Sequence, residues 1–257
     1  MRLTVLGKSP SWQDAGGACS GYLIQEHGVS VLIDCGNGVF AKLRERIDYV
    51  DIDAVVISHL HADHILDLVP FASGLRYAPS RQGTEAPARP RLIAPPGARE
   101  ALAGLCTAGG MRAEHIEGAF ALTVYDPADA LAVGGLNARF RPVPHFIPCN
   151  AVELEEDGAR FTFSADCAPN DALCELARGT DLLLIEATLP VPEREGERGH
   201  LTPFEAGEHG ARAGAKRLVL THLSDELDAA WARGEAERAF GGPVEIAREG
   251  AVYDVPG

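Results

Sequence analysis

No run of about 18 apolar residues, the length a membrane-spanning helix needs, occurs anywhere in this chain of 257 residues. A membrane-spanning helix is therefore not expected. The first residues, MRLTVLGKSPSW, hold only a short strand-like run. They lack the long apolar stretch and cleavage site of an export signal. Cysteine is sparse: six residues, at 19, 35, 106, 149, 167 and 174, follow no regular spacing. In so large a chain this predicts reduced thiols and a cytoplasmic location rather than a disulfide framework. Positive charge is in deficit, with 23 Lys and Arg against 37 Asp and Glu and a net charge of −14. That disfavours a protein whose main task is to grip nucleic acid, because phosphate contacts need clustered cations. Linker-like segments, low-complexity tracts and short-period repeats are also missing, so residues 1–257 read as one domain.

What is present is an ordinary globular composition, 46% hydrophobic, with strand and helix patterns alternating in both halves. Residues 2–7 and 21–36 read as strands, the second broken by the turn signal His27-Gly28. Residues 53–58 form a short apolar run, the mark of a buried strand. Further strand patterns cover 138–145, 150–166, 181–188 and 216–222, with Asp157-Gly158 as a second hairpin turn. Helical spacing covers 39–47, 170–178, 203–213 and 226–240. Another helix is expected over 65–76, kinked or interrupted by Pro70. Residues 78–97 are proline-rich and read as a long loop around the short strand RLIA. The fold class is therefore α/β.

Directly after the buried strand stands SHLHADH, residues 58–64, which holds three of the nine histidines in the chain. Neighbouring imidazoles do little for an apolar core, but neutral imidazole is the commonest metal ligand. His59, His61, Asp63 and His64 on one tight loop can point inward from several directions. Open α/β sheets place their ligands at such strand ends. His145, Asp166 and His222 each close a strand pattern and can converge on the same edge. Imidazoles with carboxylates suit zinc, iron or manganese. Two cations crowded together need an anionic bridge, for which Asp166 is the candidate. Cys167 should pack elsewhere, since neighbours on a strand face opposite ways. His27, His115 and His209 read as ordinary surface or core histidines. His200 differs: it precedes Thr202-Pro203-x-Glu205, a helix-start pattern, and a helix N-terminus favours an anion. Six arginines (76, 81, 89, 91, 99 and 112) stand against only Glu85 and Glu100 between Arg76 and Arg112. They could form an anion-attracting rim on an acidic body, with Arg76 and Arg81 nearest the histidine loop.

These motifs and their order resemble the metallo-β-lactamase superfamily over nearly the whole chain. The resemblance rests on His-x-His-x-Asp-His at 59–64, then PVPHFIP, FSADC and LTHLS. It implies a four-layer αβ/βα sandwich and two divalent metal ions, zinc first, with manganese or iron as alternatives. It further implies that His59, His61 and His145 hold one ion. Asp63, His64 and His222 would hold the other, Asp166 would bridge them, and Asp34 in LIDCG would support the histidine loop. IEATLP (Glu186-Ala187-Thr188) followed by HLT (His200-Leu201-Thr202) resembles the ribonuclease Z branch. There the histidine assists phosphodiester cleavage and the glutamate positions it. The branch's usual histidine before Glu-Ala-Thr is Ile185 here. The lysine-rich arm that grips transfer RNA is missing, and the basic loop ahead of the His-x-Thr element is replaced by VPEREGERG. The closest likeness is thus to compact bacterial cyclic-nucleotide phosphodiesterases. The expected function is metal-dependent hydrolysis of a small or nucleotide-like phosphodiester, with Asp63 and His200 catalytic, Glu186 positioning, and Arg76 and Arg81 binding substrate. Transfer RNA is a disfavoured partner, and a homodimer is compatible with the sequence. The competing expectations are a lactone, thioester or β-lactam hydrolase, a ribonuclease Z-like endonuclease and, least favoured, a metal-binding protein without catalysis.

Overall fold

A computed structural model describes residues 1–82 and 88–256 of the chain. The first sheet contains β1 (Arg2–Gly7), β2 (Gly21–Glu26), β3 (Val29–Ile33), β4 (Ala54–Val56), β5 (Arg91–Ala94), β6 (Ala121–Val124) and β14 (Val252–Asp254). Their order across the sheet is β14-β1-β2-β3-β4-β5-β6. The second contains β7 (Leu131–Val133), β8 (Leu136–Val143), β9 (Cys149–Glu156), β10 (Ala159–Phe163), β11 (Leu182–Glu186), β12 (Leu218–Thr221) and β13 (Val244–Ile246). Their order is β13-β12-β11-β10-β9-β8-β7. The helices are α1 (Val39–Arg44), α2 (Ala62–Ile65), α3 (Leu68–Tyr77), α4 (Ala98–Ala108), α5 (Asp171–Leu176), α6 (Pro203–Ala213) and α7 (Ala229–Phe240). None is long and apolar enough to cross a membrane.

Strand alternation sorts the side chains into layers. Tyr22, Ile24, Val31, Ile33 and Val56 face the second sheet and share one core with Phe140, Leu154, Phe161 and Phe163. The Tyr22 and Phe163 rings meet across it at 4.9 Å. The alternate residues Leu23, Leu32 and Val55 face outward and are covered by Phe40 and Leu43 of α1, Phe71 and Leu75 of α3 and Leu102 of α4. Leu173 of α5, Ala206 and Ala213 of α6 and Ala232 of α7 pack on the second sheet. Helix, sheet, sheet, helix is the expected four-layer arrangement.

Two details depart from the sequence reading. The helix expected over 65–76 is α3, which starts later, at Leu68, after the separate short α2, and Pro70 sits in its first turn. An N–H is not needed there, so the proline causes no break. The strand patterns over 150–166 and 138–145 end early, at Phe163 and Val143. Both predicted hairpin turns are present, and His27, Gly28, Asp157 and Gly158 all have positive φ, as a two-residue type I′ turn requires. The other three non-glycine residues with positive φ among those described are Asp34, Ala165 and His222. Each lies just past the C-terminal end of a strand: β3, β10 and β12. Left-handed backbone is costly for a side-chain-bearing residue and clusters at functional sites. Here it turns three chain segments toward one edge.

Candidate metal centre

β3–β4 and β10–β11–β12 run parallel, so their C-terminal ends lie along the same edge of their sheets. The loops leaving those ends carry the predicted ligands. Ring nitrogens of three histidines converge: His61 Nδ1 lies 3.2 Å from His59 Nε2 and 3.0 Å from His145 Nε2. With Asp166 they form one group whose donor atoms are close enough to hold a metal ion. Asp63, His64, Asp166 and His222 form a second such group. Asp166 belongs to both: its Oδ2 lies 3.8 Å from His59 Nε2, 3.8 Å from His145 Nε2, 3.4 Å from His64 Nε2 and 3.5 Å from His222 Nε2. All seven residues named from the sequence are thus brought together.

Each imidazole except His61 is anchored through Nδ1, which leaves Nε2 for the centre. His59 Nδ1 meets Ser58 Oγ at 3.1 Å. His64 Nδ1 meets Asp34 Oδ2 at 2.7 Å. His145 Nδ1 donates to the Gly199 carbonyl at 2.8 Å. His222 Nδ1 meets Thr188 Oγ1 at 2.7 Å. Asp34 in turn accepts from Ser58 N and Ser58 Oγ, both at 2.8 Å. Such outer bonds fix ring orientation and tautomer in metal sites. Burial holds His59, His61 and His145 below the ordinary histidine pKa despite the nearby Asp166. That direction favours the neutral imidazole, the form that binds a metal ion. His64 goes the other way: burial lowers it, but Asp166 and Asp34 together raise it well above the ordinary value. Burial pushes the Asp166 and Asp63 carboxyls up, and the surrounding imidazoles pull both far below the ordinary carboxylate range. Two buried atoms of this cluster, His64 Nε2 and Asp166 Oδ1, have no hydrogen-bond partner. A buried polar atom without a partner costs about 1–3 kcal/mol. Cations between the two groups would satisfy both atoms, so the donor set fits a pair of metal ions.

Beside the histidines lies Glu186, fully buried at the end of β11. Its Oε1 accepts from Cys167 N at 2.9 Å and meets His200 Nδ1 at 3.0 Å. Its Oε2 accepts from Thr188 N at 3.1 Å and Thr188 Oγ1 at 2.7 Å. The Thr188 hydroxyl has one proton and gives it to Glu186, so it accepts from His222 Nδ1. One carboxylate therefore orients two histidines, His200 directly and His222 through Thr188. The His200 ring stacks on His222 at 5.6 Å and meets His145 edge-on at 5.0 Å. Burial lowers the His200 pKa, but the Glu186 hydrogen bond and charge, with Asp166 and Glu193, raise it to about 9. Its Nε2 has no hydrogen-bond partner among the described residues.

The His200 segment is braced from outside. Thr202 caps α6 in a reciprocal box with Glu205. The carboxylate at this helix N-terminus is thus Glu205, which occupies the place the sequence reading offered to a bound anion. Arg198 binds Glu205 with two nitrogens, at 2.8 and 2.9 Å, and Glu193 at 3.3 Å. Glu193 accepts from the backbone of Gly199 and His200. Burial raises both carboxyls, but backbone N–H groups and Arg198 hold them below their ordinary 4.5. A depressed pKa gives stability that is present above the unfolded value and lost as pH falls through the folded one. Arg198→Ala is expected to destabilise the chain at pH 7 by no more than about 1 kcal/mol. That difference in melting should shrink once pH drops below 4.5. A difference that persisted unchanged in acid would show that the brace is not ionic.

The Arg76 guanidinium packs beside Gly118 and over the Tyr77 ring at 5.6 Å. Arg81 ends a short 3-10 turn, and its side chain lies outside the described residues. Arg89 and Arg91 bind backbone carbonyls, and Arg99 pairs with Glu117. Cys167 is buried in the core, although strand alternation is not the reason. It follows β10 in a loop, and burial pushes its thiol pKa well up. His27 is exposed in its hairpin. His115 meets Ser73 Oγ at 3.0 Å. His209 is buried in α6 and accepts from Asn170 N at 3.0 Å. A concavity of about 920 Å³, lined by Arg2, His27, Asp51 and Asp53 among others, lies at the opposite strand ends. Concavity alone therefore does not locate the chemistry. Sequence reasoning gave no role to Ser58, the Gly199 carbonyl or the Thr188 hydroxyl. Adjacency was the available signal for the first, and the Glu-Ala-Thr motif for the last.

Comparison with known proteins agrees with this geometry. Residues 29–223 match the family described as the beta-lactamase superfamily domain. The "Probable metallo-hydrolase YhfI" of Bacillus subtilis is 30% identical, over 99% of this chain and 100% of that protein. A ribonuclease Z of Halorubrum lacusprofundi is 27% identical, over 100% of this chain and 97% of that protein. The crystal structure of the metallo-beta-lactamase fold protein YhfI superposes with a TM-score of 0.85 and 26% identity. That match covers 98% of this chain and 99% of the other.

Proposed function

The chain belongs to the beta-lactamase superfamily as a metallo-hydrolase, and we propose that its substrate is a small phosphodiester, cleaved at the centre formed by the seven converging ligands. The observation that carries this reading is the Glu186–His200 pair. Attack on a carbonyl carbon develops charge on a single oxygen, which a metal ion can stabilise by itself. A phosphodiester has in addition a poor alkoxide leaving group and two anionic oxygens, which a positioned donor helps to neutralise. The ribonuclease relative, an RNA-cleaving enzyme by its name, supports the same bond type. The net charge of −14 argues for a substrate much smaller than RNA.

Two divalent cations, zinc in the first instance and manganese or iron as alternatives, would supply Lewis acidity toward the phosphoryl oxygens and acidify a water for attack near neutral pH. His59, His61, His145 and Asp166 would hold one cation, and Asp63, His64, His222 and Asp166 the other. Asp63, whose Oδ2 lies 3.3 Å from His222 Nε2, would orient the attacking water through a hydrogen bond to its carboxylate, without taking the proton. Glu186 holds His200 Nδ1, so that Nε2 presents its proton to a phosphoryl oxygen or to the departing oxygen. We further propose that residues 1–257 act as one domain, supported by the core shared between the sheets. The six cysteines, all free and buried, support a reducing, cytoplasmic setting.

The test is a substrate ranking with zinc- or manganese-loaded protein. Bis(p-nitrophenyl) phosphate or a cyclic nucleotide is expected to turn over faster than nitrocefin or a homoserine lactone. The reverse order would move the protein to carbonyl hydrolysis.

A further inference from the structure

The rim of the centre carries exposed apolar side chains. Phe146 follows the ligand His145, in a loop bounded by Pro144 and Pro148, and is 50% exposed. Its ring lies 5.0 Å from the His145 ring and 5.8 Å from the His200 ring. It lies flush on Gly199, where a Cβ would come within 2.3 Å of two of its ring carbons. The same Gly199 carbonyl holds His145. The aromatic is therefore fixed against both the ligand and the proton donor, with half its surface left in water. Two more of the seven exposed large apolar residues among those described stand on neighbouring segments. Val191 lies between Thr188 and His200. Trp12 belongs to the loop that Lys8 and Asp14 bind to Leu223 and Asp225, directly after His222. Two rim cations are already engaged: Lys8 with Asp14, and Arg198 with Glu193 and Glu205.

We infer that Phe146 is a platform for a planar ring of the substrate, so that the phosphodiester taken here carries a nucleobase or aryl group beside the scissile bond. The inference rests on the phosphodiesterase reading and narrows its substrate class. Exposed aromatics of this kind stack on bases without reading their edges. The platform adjoins His200, so a ring lying on it brings its attached phosphate next to the proton donor. On a body of charge −14, a contact independent of charge is also the means of holding an anion that the acidic surface repels.

The experiment is calorimetric titration of the zinc-loaded protein with two phosphomonoesters, AMP and glycerol phosphate, which share the phosphate and differ in the ring. Phe146→Ala is expected to weaken AMP by about 5- to 150-fold, the range for losing one stacking contact, and to leave glycerol phosphate within about 2-fold on the same ground. Phe146→Tyr should keep AMP close to wild type. In turnover, Phe146→Ala should raise KM for a cyclic nucleotide or for bis(p-nitrophenyl) phosphate with little change in kcat, because stacking serves ground and transition states alike. The effect on those two substrates tells nucleobase from aryl preference. Equal weakening of both phosphomonoesters, or of neither, overturns the platform. Absence of all phosphodiester turnover by the wild type overturns the proposed function instead, and the titration still reads the ring preference by itself.

Discussion

His200→Ala is expected to lower kcat for a phosphodiester by about 10²–10⁴, the usual range for losing a positioned proton donor, with metal content unchanged. The two parts of this result separate the roles open to His200. Glu186, His200 and His222 offer donor atoms close enough together to count as a third ligand group, so proximity does not decide. The hydrogen bonds do. His200 Nδ1 is taken by Glu186, and its ring stands outside both groups that contain Asp166. Removing it leaves Glu186 with three donors, Cys167 N, Thr188 N and Thr188 Oγ1. The anchor of His222 is thereby untouched. Elemental analysis beside steady-state kinetics reads both parts. Loss of metal would make His200 a ligand. Near-full activity would remove the main support for phosphodiester chemistry.

Asp166→Asn is expected to reduce the metal load from two ions per chain to one at most and to bring turnover down to background. The substitution keeps the size of the side chain and one carbonyl oxygen but removes its negative charge. In the native chain that charge faces Nε2 of four histidines within 3.8 Å. It is also the single residue common to both ligand groups. Without it, two cations would be held close together with no anion between them, and at about 4 Å their repulsion is large even in a screened interior. Metal analysis after dialysis against zinc checks the first half, and assay at saturating zinc the second. A variant that still bound two ions would show that Asp166 belongs to only one site.

Much of this centre was legible in the sequence because its ligands follow strand ends, and strand ends are marked by apolar runs stopping at a polar residue. His222 directly follows β12, and SHLHADH follows β4. The capping box at Thr202 and Glu205 was legible for the same local reason, since its partners lie three residues apart. What escaped is non-local. The His145–Gly199 bond joins residues 54 apart, and the Thr188–His222 bond residues 34 apart. No periodicity reports such pairs. The partners of the arginine-rich stretch are non-local too. Charge is counted along the chain, whereas Arg89 and Arg91 turn their guanidinium groups to the carbonyls of Phe120 and Ala132. Cys167 shows the opposite case, a sound placement reached through strand alternation in a segment that is not a strand.

The pairing of β1 with β14 sets an order in time. Arg2 lies opposite Asp254, and Leu3 opposite Tyr253, so the two strands are separated by nearly the whole chain. On its other side β1 pairs with β2, which lies close in sequence. During synthesis the hairpin side of β1 can form early, while its outer edge waits until residues 252–254 have been made. Loop closure over so long a span adds little to the equilibrium cost, because that cost grows only with the logarithm of length. It weighs on the rate, since non-local pairings are slow to find. Until β14 arrives, β1 carries unpaired backbone groups along its edge, the kind of edge on which partly folded chains associate. Slow, concentration-sensitive refolding is therefore expected even of a chain whose metal centre is assembled entirely from residues that precede β13.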